Sequence, residues 1–167
     1  MYCCDIRRNR TITIEKRKEK TMANYESTIR TNYFHVNDIG VFKALMARVY
    51  GQENSVMLLE NTDEHGRPVF GFGCNGGIAG LKNAQCDDDD DVDDSAYDEF
   101  IDELKKCIAE DDACIIFEAG AEKLRYVIGT AHVITAHEER WISLQNAAIE
   151  TAKLMLGNPN FATKCDY

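Results

Sequence analysis

Ser95-Ala96-Tyr97-Asp98-Glu99-Phe100-Ile101-Asp102-Glu103-Leu104-Lys105-Lys106-Cys107-Ile108 is the stretch that decides the fold. Ser95 is a residue type that caps helix N-termini by accepting from a first-turn N–H. Tyr97, Phe100, Ile101, Leu104, Cys107 and Ile108 then recur at three- and four-residue spacing, which places them on one face of a helix. Asp98, Glu99, Asp102 and Glu103 take the other face. A helix divided in this way lies on an apolar surface with its acid turned outward. The flanking segments show what that surface is.

They read as strands. Tyr25 to Val36 alternates and is rich in aromatic and β-branched residues. Asn37-Asp38 caps a helix whose stripe is Val41, Phe42, Leu45, Met46 and Val49, with Gly51 as its stop. Ser55 to Glu60 and Pro68 to Cys74 are strands two and three, joined by the turn formers Asn61-Thr62-Asp63-Glu64-His65-Gly66. After the central helix, Ala113 to Glu118 is a fourth strand. Ala119-Gly120-Ala121-Glu122 turns it into a fifth, Lys123 to Thr135. A last helix spans Glu138 to Leu156, with Trp141, Leu144, Ala148, Ala152 and Met155 near one face and Gly157-Asn158-Pro159 as its end. Both Phe100 and Trp141 are expected in the core. The order β-α-β-β-α-β-β-α predicts an α+β two-layer sandwich: three helices on one face of a mainly antiparallel five-stranded sheet. Its first six elements match a split β-α-β arrangement.

Upstream of the central helix, Cys86-Asp87-Asp88-Asp89-Asp90-Asp91-Val92-Asp93-Asp94-Ser95 carries seven aspartates in eight positions. Such a run is normally solvated. It marks either an insert, here 83–94, or a surface for something positively charged. Residues 1–21 are basic at Ile6 to Arg10 and Glu15 to Lys20 and lack a helical stripe. They read as a disordered or non-native extension ahead of a start at Met22, with a nucleic-acid-binding basic arm as the rival reading. The single domain is then 22–157, followed by a tail, 158–167.

The 167 residues have a formal net charge of −10, and the pI is about 4.8. This balance argues against direct binding to nucleic acid, where phosphate contacts need Lys and Arg, and against an anionic membrane surface. It favours steered encounters with a basic partner. No apolar run approaches the ~20 residues of a membrane span. The seven cysteines include no C-x-x-C pair and read as free thiols in a reducing cytoplasm, with Cys107 and Cys114 filling the core.

Candidate chemistry is sparse. Gly71-Phe72-Gly73-Cys74-Asn75-Gly76 matches G-x-G-x-x-G, but a dinucleotide site needs a helix N-terminus after it. Here more glycine and then aspartates follow, which would repel a pyrophosphate, so a bulged strand end is the expectation. The aspartate run lacks the spaced ligands of a calcium loop. His35, His65, His132 and His137 have no metal-ligand spacing. Glu118 and Glu122 bracket the expected turn and could share acid–base work, but charged residues that flank a hairpin are more often solvated ends. No catalytic residue, metal or cofactor is expected, and the chain does not read as an enzyme.

Thr28-Ile29-Arg30-Thr31-Asn32-Tyr33-Phe34 and Glu118-Ala119-Gly120-Ala121-Glu122-Lys123-Leu124-Arg125-Tyr126 resemble segments of small acidic proteins carried by phages and mobile elements of gut bacteria. The resemblance covers Met22 to about Leu156. It implies a setting in which anti-restriction and anti-CRISPR inhibitors are common, and it carries over no functional residue. The expectation is an acidic protein-binding inhibitor, a nucleic-acid mimic that occupies the basic groove of a host defence protein such as a Cas9-type effector or a restriction enzyme. Its binding surface is expected at Asp87, Asp88, Asp89, Asp90, Asp91, Asp93, Asp94, Asp98, Glu99, Asp102 and Glu103. The alternatives are an accessory regulator of a mobile element with a non-immune partner, and a small enzyme using Glu118 and Glu122.

Overall fold

The computed structural model describes residues 26–82, 94–122 and 126–163. The extension 1–21 and the aspartates from Asp87 to Asp93 lie outside the described residues. Among the described residues the fold is α+β: three helices and a six-stranded sheet, antiparallel throughout, with a separate two-stranded ribbon.

The elements are β1 (Glu26–Thr31), α1 (Ile39–Met46), β2 (Val49–Gly51), β3 (Met57–Thr62), β4 (Pro68–Asn75), β5 (Ile78–Leu81), α2 (Asp94–Cys107), β6 (Cys114–Glu122), β7 (Tyr126–Ile134), β8 (Glu139–Ser143) and α3 (Leu144–Leu156). The large sheet runs β3-β4-β1-β6-β7-β8, and β2 pairs with β5. β1 and β3, joined through α1, are separated by β4. In the same way β4 and β6, joined through α2, are separated by β1. Two interleaved split β-α-β units therefore build the centre, and β7 and β8 extend it at the β6 edge.

The five-stranded expectation fails at three places. The glycine-rich segment contains β5, which pairs with β2, so Val49 and Gly51 belong to a ribbon and α1 stops at Met46. The turn expected at Ala119 to Glu122 is strand: Glu118 to Glu122 pair in register with Thr130 to Tyr126. The start of the expected last helix is β8, where Trp141 pairs with His132. Trp141 is 59% exposed rather than buried. Its pattern fitted a helix, but the free edge of β7 offers Glu139 to Ser143 backbone partners, and pairing overrides local periodicity.

The core lies between α1, α2 and one sheet face. Ile29 and Thr31 of β1, Phe70, Phe72 and Cys74 of β4, Cys114 and Ile116 of β6, and His132 and Ile134 of β7 all point into it. Alternate positions, such as Arg30, Phe117 and Ala131, occupy the opposite face. Phe34, Phe42, Phe70, Phe72 and Phe100 form a chain of tilted and edge-to-face rings with centroids 5.4–6.4 Å apart. The apolar face read for α2 is in this core, with Phe100, Ile101, Leu104, Cys107 and Ile108 all buried. Asp38 caps α1 by accepting from Val41 N at 2.9 Å. α3 begins on the opposite face of the sheet: a Cβ at Gly129 would meet the Leu144 side chain at 3.0 Å. The helices are therefore not confined to one face.

Candidate functional site

The acidic face of α2 is held by the burial of its other side. Asp98 and Glu99 are exposed, and the Asp102 side chain is 71% exposed. Glu103 is partly covered and accepts from Lys106 at 2.6 Å. Lys105 reaches Asp102 at 3.5 Å and crosses to Glu139 on β8 at 3.2 Å. Burial disfavours the Lys105 ammonium, but its bonds to Glu139 and Asp102 outweigh this and raise its pKa. Two lysines thus offset Asp102 and Glu103, and among the described residues no salt bridge offsets Asp98 and Glu99. Asp94 belongs to the first turn of the same helix.

Beside this strip stands an aromatic column. Tyr97 Oη lies 3.2 Å from His132 Nδ1. The His132 ring lies under Trp141 with centroids 4.0 Å apart. His132 is buried. Its Nε2 is 3.4 Å from Glu139 Oε2 but without hydrogen-bond alignment. Burial lowers the His132 pKa, so the imidazole is neutral at pH 7. Burial likewise raises the Tyr97 pKa and keeps the phenol protonated. The exposed side of α2 therefore continues onto a surface tryptophan and Glu139.

A second polar cluster joins distant parts of the chain. His35 Nδ1 is 2.6 Å from Asp112 Oδ2, and its Nε2 is 3.1 Å from Asp63 Oδ2. Arg67 donates to Asp63 at 2.8 Å. The bond to Asp112, then that to Asp63, raises the His35 pKa against the opposing effect of burial. Burial pushes Asp112 and Asp63 up, but their hydrogen bonds more than offset it and hold both carboxyls low. This cluster ties the loop after α2 to the β3–β4 hairpin. Its members are 28 and 77 residues from His35, so no local pattern announces it.

The other candidates are dispersed over the described residues. Glu118 and Glu122 lie on one strand, four residues apart. The ~13 Å that separates such positions is too long for them to share one proton. Cys74, Cys107 and Cys114 are free and buried. His137 precedes β8 rather than opening a helix and lies 2.7 Å from Glu110. Among the described residues, no group of three His, Cys, Asp or Glu side chains is placed to hold a metal, and no helix is long and apolar enough to cross a membrane. The glycines of β4 and β5 serve close packing. A Cβ at Gly73 would lie 2.6 Å from the Ile29 carbonyl oxygen, and one at Gly80 would lie 2.3 Å from the Ala96 carbonyl.

Comparison with known proteins finds no matching family model, no matching curated protein and no matching solved structure.

Proposed function

We propose that this chain is an acidic protein-binding inhibitor that docks the outward face of α2 in the basic groove of a nucleic-acid-handling defence protein. The observation that supports the reading is the strip Asp98, Glu99, Asp102 and Glu103, presented on a helix whose opposite side is fixed in the core. Four carboxylates between positions 98 and 103 fall within ~7.5 Å of helix axis at 1.5 Å per residue. One strand of duplex DNA carries a charge per ~3.4 Å. The strip thus reaches or exceeds the linear charge density of one phosphate backbone before its two lysines are counted. Because the helix is anchored, the charges need little ordering on binding, which limits the entropic cost. Trp141, half-exposed at one side of the strip, supplies the aromatic surface on which an arginine of the partner stacks.

The test is competition. A purified Cas9-type effector loaded with guide RNA, and separately a restriction endonuclease, is bound to labelled duplex DNA and titrated with the chain. The reading requires displacement of DNA by the parent. It also requires loss of displacement when Asp98, Glu99, Asp102 and Glu103 are replaced by Asn or Gln with the circular dichroism unchanged. Displacement by the fourfold variant equal to that by the parent removes α2 from the mechanism. Co-purification from a host lysate with mass spectrometry then identifies the partner directly.

A further inference from the structure

Among the described residues, the face of the sheet opposite α2 is only partly covered. α3 has no buried residue. Leu144, Ala147, Ala148, Thr151 and Met155 follow the i, i+3, i+4, i+7, i+11 spacing of a single helical stripe. That stripe is exposed: Leu144 is 62% and Met155 83% accessible, with neighbouring Leu154 at 84%. The less exposed residues of α3, Ile149, Ala152 and Lys153, fall on its other side. Next to Leu144 and Ala147 a trough of about 480 Å³ opens over β1, β6 and β7, with Phe117, Ala119, Ala131 and Ile142 in its lining. Phe117 and Ile142 are each about half exposed.

We propose that this face is the contact between two copies of the chain. One face carries both an apolar ridge, the C-terminal part of α3 with Leu154 and Met155, and an apolar trough walled by Leu144 and Ala147 at the start of the same helix. A two-fold contact needs that combination, because each copy must supply both halves. The thirteen residues of α3 span ~20 Å, about the width of four strands spaced at ~4.8 Å. One copy's α3 can therefore lie along the trough of the other. Charge selects the same occupant. The chain carries −10, and two such chains approach most readily where acid is sparse. Among the described residues that line the trough, Arg30 carries the charged side chain on this face, whereas Glu118, two residues along β6 from buried Ile116, and the α2 carboxylates belong to the opposite side. A standard interface covers ~800 Å² per partner. In this one, Phe117, Val127, Ile142, Leu144, Leu154 and Met155 are 49–84% exposed and supply its apolar centre. The trough floor and a polar rim surround them. The pairing does not depend on what α2 binds, and it leaves both α2 helices facing outward.

Sedimentation velocity on the full chain tests it. The parent is expected to sediment as a species of twice the 18.9 kDa chain mass across the micromolar range. Met155→Glu and Leu154→Glu each alter a side chain that touches little within its own chain, so folding is preserved and circular dichroism checks this. Each is expected to weaken self-association at least tenfold. The fourfold α2 variant is expected to remain a dimer, which separates this result from the acidic-face reading. A monomeric parent at the highest concentration overturns the proposal, as does a dimer that survives both glutamate variants. A full chain that pairs only after residues 1–25 are removed also overturns it, by showing that this segment covers the face instead.

Discussion

Trp141 lies flat on His132, with ring centroids 4.0 Å apart and planes within 14° of parallel. The indole is the lid of the imidazole: Trp141 is 59% exposed and His132 only 2%. A surface tryptophan thus completes the burial of a polar ring that the core would otherwise leave wet. Trp141→Ala is expected to cost about 1 kcal/mol, the scale of one aromatic contact. Phe100→Ala, at a fully buried site touching Phe72 and Tyr97, is expected to cost ~3–5 kcal/mol. Urea unfolding measures both. Equal losses would mean that the Trp141 environment is core after all. Acrylamide should also quench Trp141, the chain's single tryptophan, in the native state.

The two partly or fully buried histidines give stability opposite pH signs. The His35 pKa is raised by Asp112 and then Asp63. Its contribution is complete below the unfolded value of ~6.5 and is lost as pH rises through the folded value. The His132 pKa is lowered by burial, so its contribution is present above ~6.5 and lost as pH falls below it. His35→Gln is therefore expected to flatten the alkaline side of the profile of urea midpoint against pH between ~6.5 and ~8.5, where an unperturbed histidine finishes titrating. The acid side below ~6.5 should keep its slope, because His132 remains. An unchanged alkaline limb would show that the carboxylates do not hold the His35 proton.

Gly80 is the point where β5 meets α2. Its φ is +130°, and a Cβ there would fall 2.3 Å from the Ala96 carbonyl carbon and oxygen and 2.7 Å from Tyr97 N. Those are backbone atoms of the first α2 turn and cannot move aside as a flexible side chain would. Gly80→Ala is expected to destabilise by more than ~3 kcal/mol, combining backbone strain with overpacking. Gly66→Ala, at φ +76° but in open space, is expected to cost only the ~1–2 kcal/mol of a left-handed alanine. Thermal unfolding of the two variants ranks them, and a Gly80→Ala protein as stable as Gly66→Ala would show that α2 does not press on β5.

What could be read from sequence was what short-range periodicity encodes. The α2 stripe, the Asp38 cap, the β3–β4 hairpin and the Gly157 stop are all present, because a repeat of 3.6 or 2 residues within one segment determines which side is buried. The β2–β5 ribbon was hidden because each strand is only three or four residues long and one follows a run of glycines. β8 was hidden because Trp141, Leu144, Ala148, Ala152 and Met155 also satisfy a helical period. Only pairing with β7 distinguishes the two. The outward carboxylates of α2 were legible for the same local reason. Glu139, Trp141 and His132 were not, since they join the strip across the sheet edge rather than along the chain.

The last expectation separates docking charge from steering charge. The α2 carboxylates are fixed to the core, whereas Asp87 to Asp91 precede that helix in the sequence as an uninterrupted block. Under the proposed function, a fixed charge acts at contact and a neighbouring block acts at a distance. Deleting Asp87 to Asp91 is therefore expected to slow association with the basic partner while changing dissociation little, since steering charge acts on the encounter. The fourfold α2 variant is expected to speed dissociation as well. Salt should reproduce the deletion: at ~0.15 M the screening length is about 8 Å, so association should fall steeply with ionic strength in the parent and less so in the deletion. Surface plasmon resonance over a salt series reads all three effects. An association rate unchanged by the deletion at low salt would assign the aspartate block no part in the encounter.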